Sequence, residues 1–185
     1  MPRNTIERTA ARLSVLGACL VAAACVAPAS DEAAQRASEV LIRSLAAAWE
    51  RADTALVEEL FWPQATYDDF PNQLTYQGVD EIVGYVSSPH SWGDDVYMSV
   101  GHVYAGESHA VAEWVFSAVQ NRPMGDAVTT GTGREVVLEG VTIIEIENGR
   151  IIRAADYTDT APMMLQLGGR ILMPGGQVIE QPPGG

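Results

Sequence analysis

The sequence of 185 residues contains no lysine, so all 11 of its basic residues are arginines. Without a lysine amine, the chain can form neither a Schiff base with a carbonyl substrate nor the phosphate contact of a P-loop. Basic residues are also outnumbered, because 24 acidic residues give a formal net charge of -13. That charge disfavours nucleic acid and anionic lipid, which both require a basic surface. The expected partner is a small apolar molecule.

Cysteine occurs only at Cys19 and Cys25, near the start of the chain. This start combines three arginines with an uncharged run, Leu13 to Ala29, which is typical of a secretory signal. The run is too short and too rich in alanine for a membrane-spanning helix. We therefore expect residues 1–29 to be a leader, with cleavage after Ala29 as one option, and the protein to be exported. The rest of the chain has no cysteine for a disulfide, a nucleophile or a metal site.

The two cysteines suggest a second way of processing the leader. The segments Leu16-Gly17-Ala18-Cys19 and Ala22-Ala23-Ala24-Cys25 resemble the bacterial lipoprotein box, in which a cysteine after small residues is lipidated. Cys25 follows the longer apolar run and is the predicted lipidation site, whereas Cys19 has the better box. An ordinary cleaved signal with incidental cysteines is an equal alternative. The resemblance implies a periplasmic protein or a membrane-anchored lipoprotein of a bacterium.

The apolar pattern predicts helices first and long strands afterwards. The predicted helices are Asp31–Arg51, a shorter one between Asp53 and Pro63, Val79–Ser87 and Met163–Leu167. The predicted strands are Ala65–Phe70, Val96–Tyr104, His109–Gln120, Arg134–Glu147 and Arg150–Asp159. This order is typical of an α+β fold in which helices cover one face of a curved antiparallel sheet and leave a conical pocket. One domain is expected over residues 30–168, followed by a Pro/Gly-rich tail over residues 169–185.

The register of the last hairpin places one acid in an apolar surrounding. Asn148-Gly149 is the preferred pair for a type I′ turn, and such a turn would place Asp156 opposite Val141. The face that carries Asp156 then runs from solvent into the covered pocket. Burial would raise the pKa of this carboxyl toward the range useful for general acid or base catalysis. The alternative is that Asp156 lies at a wet rim or pairs with an arginine.

The order of elements over Glu32–Leu167 resembles the SnoaL-like and nuclear-transport-factor-like superfamily, and so do Asn148-Gly149-Arg150-Ile151 and Asp156-Tyr157. The resemblance implies a cystatin-like cone. The superfamily contains polyketide cyclases, limonene-epoxide-hydrolase-like enzymes, ketosteroid isomerases and non-catalytic binding modules, so the fold alone does not define the function. In the cyclases and hydrolases the acid on the last long strand, here Asp156, donates or accepts the proton. The reverse face of the hairpin, with Ile144, Ile146 and Ile151, is either core under another layer or a dimer surface. Such proteins often pair, so the resemblance favours a homodimer through this face.

The resemblance to the epoxide hydrolases is incomplete. Those enzymes hold the attacking water with a tyrosine and an amide on the first strand, and Tyr67 and Asp69 fall at the matching places. Asp69 therefore stands where the amide would be, and a carboxylate cannot donate as an amide does unless it is protonated. The Arg-x-Asp pair of the hydrolases has no counterpart in register within Ala112-Glu113-Trp114-Val115-Phe116.

Other side chains are candidates for the pocket wall. His102 shares the apolar-looking face of its strand, where a lone histidine is more often part of a wall than a catalyst. We include it with Asp69 as a catalytic auxiliary. The predicted substrate-binding residues, for which core packing is the alternative, are Trp114, Phe116, Met98, Tyr85 and Trp92. No ligand spacing such as HExxH predicts a metal site, and no cofactor is expected.

Two functions are compatible with these patterns. The first is an exported enzyme that uses Asp156 as general acid or base on an epoxide, a polyketide or a related carbonyl compound, with Tyr67 orienting substrate or water. The second is a non-catalytic binding or scaffold module of the periplasm or outer membrane. A closed, dry cone in which Asp156 pairs with an arginine would favour the second function.

Overall fold

The computed structural model describes residues 28–181, with side chains from residue 31 onward. Cys19, Cys25 and most of the predicted leader lie outside the described residues, so export and lipidation stay predictions. The first described element is a helix that begins at Pro28, ahead of the predicted start at Asp31. Within residues 28–181, no helix is both long and apolar enough to cross a membrane.

Five helices flank the sheet in the described chain. They are α1 (Pro28–Arg51), α2 (Thr54–Leu60), α3 (Val79–Ser87), α4 (Pro89–Trp92) and α5 (Ala161–Gln166). Asp53 caps α2 as predicted, because its side chain accepts a hydrogen bond of 3.1 Å from the backbone N–H of Leu56. Helix α4 was not predicted, since four residues are too few to show a helical period.

Six strands form the main sheet. They are β1 (Phe61–Asp69), β2 (Leu74–Gln77), β3 (Gly93–Ala105), β4 (His109–Gln120), β5 (Arg134–Glu147) and β6 (Arg150–Thr158), in the spatial order β2-β1-β6-β5-β4-β3. Neighbours are antiparallel except β1 and β6, which are parallel. The sequence predicted no strand between Phe70 and Val79, where β2 forms one edge of the sheet. A small hairpin, β7 (Ile171–Leu172) with β8 (Val178–Ile179), occupies part of the predicted tail.

Helices α1 to α3 cover one face of the curved sheet and enclose the core. The largest fully buried side chains come from both layers, and they include Ile42, Leu45, Val57, Phe61, Tyr67, Ile82, Val86 and Ile144. Because the helices cover only part of this face, the wide end of the cone is left open over β4, β5 and β6. The α+β cone predicted from the sequence is therefore confirmed.

The last hairpin has the predicted turn and an unpredicted bulge. Asn148 and Gly149 both have positive φ, 49° and 78°, as a type I′ turn requires. Glu147 then pairs with Arg150, but Glu145 pairs with Arg153, so Ile152 is an extra residue in β6. Everything beyond this bulge moves by one position. Asp156 consequently lies opposite Thr142, and the predicted pairing with Val141 is wrong.

The same bulge decides which face of the hairpin is buried. Ile144 and Ile151 are completely buried in the core, and Ile146 packs against it. These three residues therefore lie on the helix-covered face together with Asp156. They belong to the core, which was the alternative, and the favoured dimer surface at this face is wrong. A one-residue slip moves a whole set of side chains to the other face of a strand, which explains the error. The homodimer itself stays a prediction.

Candidate active site

A pocket opens at the wide end of the cone, between helices α1, α3 and α4 and the inner face of the sheet. The cavity volume is about 160 Å³, which is smaller than the usual clefts for drug-sized ligands and suits a small molecule. The five predicted substrate-binding residues all line it, namely Met98, Trp114, Phe116, Tyr85 and Trp92. Their placement in the wall is thus observed, and their contact with a substrate stays a prediction.

Asp156 lies at the floor of this pocket and is only 6% exposed. Its Oδ1 accepts hydrogen bonds from the hydroxyl groups of Thr142, at 2.5 Å, and Tyr67, at 3.0 Å. Its Oδ2 accepts from the same Tyr67 hydroxyl at 3.0 Å and from Tyr85 at 3.3 Å. Three neutral hydroxyl groups therefore surround the carboxylate, and no described arginine contacts it. Neither the wet rim nor the arginine pair that the sequence left open is found at this position.

Burial raises the pKa of Asp156 to about 6, because the charged form loses its hydration. Hydrogen bonds from Thr142, Tyr67 and Tyr85 oppose this shift, and the nearby charge of Asp69 adds to it. The carboxyl group is therefore mainly ionised at neutral pH but is a stronger base than an exposed aspartate. A general base with a pKa close to the working pH combines sufficient ionisation with sufficient proton affinity.

The two tyrosines at Asp156 have different positions. Tyr67 is completely buried and does not line the pocket, so it supports the carboxylate from behind. The predicted contact of Tyr67 with substrate or water is therefore not made. Tyr85 does line the pocket. Burial, followed by the charge of Asp156, raises the pKa of both phenols, so both remain protonated donors at neutral pH.

Asp69 supplies a second carboxyl group to the pocket. It is buried at the end of β1, beside Asp156 in the parallel register of β1 and β6. Its two oxygens accept from the backbone N–H of Asn72, at 3.3 Å, and from the side-chain amide of the same residue, at 2.8 Å. Asp69 is thus in the predicted place, but its hydrogen bonds are directed toward a turn.

Thr142 and Trp114 form a contact that sequence reasoning missed. The indole Nε1 of Trp114 donates to the Thr142 hydroxyl over 2.8 Å. The ring can lie across β5 because the residue paired with Trp114 is Gly140, where a Cβ would lie 2.4 Å from the indole. The incorrect register put Val141 opposite Asp156 and hid Thr142. The available signal was Thr142 itself, a polar residue directly before Ile143 and Ile144 in the strand that pairs with the strand of Asp156.

His102 lies outside the pocket. A bulge in β3 between Val100 and Val103 turns its side chain to the outer face of the sheet, where it is 79% exposed. There its Nδ1 lies 3.3 Å from a carboxylate oxygen of Glu113. The prediction that His102 lies on the apolar face of its strand is therefore wrong, and His102 is not an auxiliary of Asp156. In the part of the chain that is described, no group of three acidic or histidine side chains could hold a metal ion.

Several solved structures have a similar fold. A chain of TsrD from Streptomyces laurentii shares 21% identity with a TM-score of 0.63, covering 72% of this chain and 96% of that one. A candidate SnoaL-like polyketide cyclase from Jannaschia sp. CCS1 shares 14% identity with a TM-score of 0.65, covering 72% and 92%. A hypothetical protein from Catenulispora acidiphila DSM 44928 with a ketosteroid isomerase-like fold shares 20% identity with a TM-score of 0.57, covering 68% and 90%. These likenesses establish the fold alone.

The family is established by the sequence itself. Among curated proteins, none matches this sequence. The family model for the SnoaL-like domain matches residues 42–154, which is more than half of the chain. This segment contains Tyr67, Trp114 and Thr142 and ends two residues before Asp156. The chain therefore belongs to the SnoaL-like domain family.

Proposed function

We propose that the protein is an enzyme in which Asp156 moves a proton on a small, mainly apolar carbonyl compound, in an isomerisation or a cyclisation. The observation that carries this proposal is the carboxylate at the floor of an open pocket, held by hydroxyl donors, with no described arginine to neutralise it. Such a group is costly to bury, and buried acids with a raised pKa in a cleft are concentrated at catalytic sites.

The chemistry follows from the state of Asp156 at neutral pH. The ionised carboxylate removes a proton from a carbon next to the substrate carbonyl, so the C–H bond breaks, an O–H bond forms, and an enolate remains. In an isomerisation, Asp156 returns the proton to another carbon of the enolate. In a cyclisation, the enolate attacks a second carbonyl of the same molecule and the resulting alkoxide takes the proton from Asp156. Both reactions restore the ionised carboxylate and require no external reagent.

The pocket wall selects for apolar substrates. Trp92, Met98 and Phe116 line the pocket, and so do Asp69 and Asp156, whose carboxyl groups raise the cost of placing an anion there. A neutral compound with one or two carbonyl groups fits both features. The sequence also contains no lysine that could pair with an anionic substrate.

Epoxide hydrolysis, the other reaction considered from the sequence, has weaker support from the site. Tyr67 is completely buried, so it cannot hold a water molecule in the pocket. Asp69 accepts two hydrogen bonds from Asn72 and does not replace the amide of the hydrolases. A proton transfer by Asp156 alone needs neither of these groups.

The proposal predicts a specific pH profile. The probe is 3-cyclohexenone, whose base-catalysed isomerisation to the conjugated ketone is followed by ultraviolet absorbance. We expect the enzymatic rate to rise with pH, to reach half its maximum near the Asp156 pKa of about 6, and to level off above it, because only the ionised carboxylate takes a proton. Styrene oxide is the parallel probe for epoxide hydrolysis. A rate that is constant from pH 5 to 8 would contradict the role of Asp156. Binding without conversion of any carbonyl probe would favour a non-catalytic binding module.

We further propose, from the leader sequence alone, that the protein is exported and lipidated at Cys25. The full-length chain, produced in a bacterium with labelled palmitate, should carry the label. Cys25→Ala should lose it, and Cys19→Ala should retain it. The reverse result would move the lipidation site to Cys19. An unlabelled mature protein that begins at residue 30 would show an ordinary secretory signal.

A further inference from the structure

A chain of two hydrogen bonds ends on one oxygen of Asp156. The indole of Trp114 donates to the hydroxyl of Thr142 over 2.8 Å, and Thr142 donates to Oδ1 of Asp156 over 2.5 Å. An indole nitrogen can only donate, so the oxygen of Thr142 must be the acceptor of the first bond. The single hydroxyl hydrogen of Thr142 is then directed to Oδ1. With Asp156 ionised, the direction of both bonds therefore follows from the chemistry of the groups.

The other oxygen, Oδ2, is held less tightly. It accepts from Tyr85 at 3.3 Å and shares the Tyr67 hydroxyl, at 3.0 Å, with Oδ1. Within the described residues, Oδ2 is the acceptor recorded for the Tyr85 hydroxyl group. The Tyr85 hydroxyl group accepts no bond from an indole, whereas the Thr142 hydroxyl group accepts one from Trp114. A phenol hydroxyl can rotate and become an acceptor. Tyr85 also lines the pocket, so a rotated Tyr85 hydroxyl group can direct its hydrogen toward the space that a substrate would occupy.

The two oxygens therefore differ in their ability to take a proton. A proton on Oδ1 would turn the hydroxyl hydrogen of Thr142 away from that oxygen, while the indole N–H of Trp114 occupies a second side of the hydroxyl oxygen. Among the described residues, no acceptor other than Oδ1 is recorded for that hydrogen. A proton on Oδ2 would meet the oxygen of Tyr85 after a simple rotation of that hydroxyl group. An unsatisfied buried donor is costly, so the second arrangement is the stable one.

We infer that Thr142 and Trp114 are positioning residues that reserve Oδ1 of Asp156 as a hydrogen-bond acceptor and so assign proton transfer to Oδ2. The inference rests on the proposed function and adds the atom that performs the transfer. In the forward step, the substrate C–H bond breaks, its electron pair stays on the substrate as the enolate, and the new O–H bond forms at Oδ2. Gly140 is part of this arrangement, because a side chain there would displace the indole of Trp114.

The first test measures the ionisation of Asp156 directly, by NMR titration of protein labelled with ¹³C at the aspartate carboxyl carbons. Asp156→Asn identifies the signal. We expect Thr142→Val and Trp114→Phe to raise the Asp156 pKa by about one unit, because each weakens a hydrogen bond that stabilises the carboxylate. Thr142→Ser retains the hydroxyl group and should titrate as the wild type does.

Trp62→Phe is the matched control for Trp114→Phe. It removes an indole N–H that also donates over 2.8 Å, in this case to the backbone carbonyl of Glu147, away from the pocket. We expect no change in the Asp156 titration of this variant. An equal shift in Trp62→Phe and Trp114→Phe would show a general loss of structure and would overturn the inference.

The second test uses the isomerisation of 3-cyclohexenone above pH 8, where Asp156 is ionised in each variant. A raised pKa alone makes a stronger base, so a merely electrostatic role would leave the plateau rate equal or higher. We expect Thr142→Val to lower kcat about tenfold with KM unchanged, because the carboxylate loses its orientation. Thr142→Ser should recover most of this loss.

The outcomes separate the inference from the proposed function. If Asp156→Asn abolishes isomerisation but Thr142→Val changes neither the Asp156 pKa nor kcat, the function stands and the positioning role is wrong. If Thr142→Val raises the pKa but the wild type converts no carbonyl probe, the hydrogen-bond chain stands and the proposed function is wrong, together with the transfer at Oδ2.

Discussion

Asp156→Asn should reduce the isomerisation rate at neutral pH by about 10²- to 10⁴-fold, the usual contribution of a general base. The amide has the size of the carboxyl group and can still accept from Thr142 and Tyr67, so the pocket keeps its shape. It cannot take a proton from carbon, however, and the reaction loses its base. The measurement is the initial rate with 3-cyclohexenone for the wild type and the variant at the same pH.

Asp126→Asn is the control for this comparison. It makes the same chemical change at an exposed loop residue that does not line the pocket, so its rate should equal that of the wild type. Turnover that is unaffected by Asp156→Asn would remove Asp156 from the mechanism and, with it, the proposed function. A similar loss in both variants would indicate a general effect of the substitution.

Strand periodicity was sufficient to predict most of the fold. The bounds of β4 and β5 were predicted correctly, and Asn148-Gly149 has the φ values of its predicted turn. These features are local, since alternation and turn chemistry depend on neighbouring residues. The edge strand β2 was missed because its side chains are mostly exposed and so do not alternate between buried and exposed.

The two bulges account for most errors at the site. The extra residue Ile152 moved Asp156 from Val141 to Thr142, and the bulge after Val100 turned His102 to solvent. A bulge is set by how two strands pair, and neither strand alone contains that information. Asp156 was nevertheless correctly predicted to be buried. Ala154 and Asp156 both lie beyond the bulge, so strand alternation still places them on the same face, which is buried.

The position of Tyr67 shows a different limit. Its place on the first strand was predicted from the resemblance, yet its side chain lies behind Asp156, among Phe61 and Trp49, and not in the pocket. Whether a buried side chain contacts the cavity or the core depends on the volumes of all its neighbours. Sequence periodicity predicts which face of the sheet a side chain lies on. It does not predict whether that side chain contacts the cavity or the packed core.

Asp156 should also make the stability of the protein depend on pH in a direction that is unusual for an aspartate. Its pKa is about 6 in the folded protein and near the ordinary value of 3.8 when exposed. Between these values the folded state binds more protons than the unfolded state, so stability falls as pH rises. The buried carboxyl group is stabilising only in its neutral form, and the loss is complete above the folded pKa. With 1.36 kcal/mol for each pKa unit, the full loss is about 3 kcal/mol, of which about 2.4 kcal/mol falls between pH 4 and pH 8.

Asp156→Asn removes this dependence, because asparagine does not ionise. We expect urea denaturation to show that the free energy of unfolding of the variant, relative to the wild type, increases by about 2.4 kcal/mol from pH 4 to pH 8. Asp126→Asn should follow the wild type at both values. A constant difference would mean that Asp156 titrates in the folded protein as an exposed aspartate does. A substitution that damages the fold lowers activity and stability at both pH values, whereas loss of a buried general base lowers activity while relative stability increases from pH 4 to pH 8.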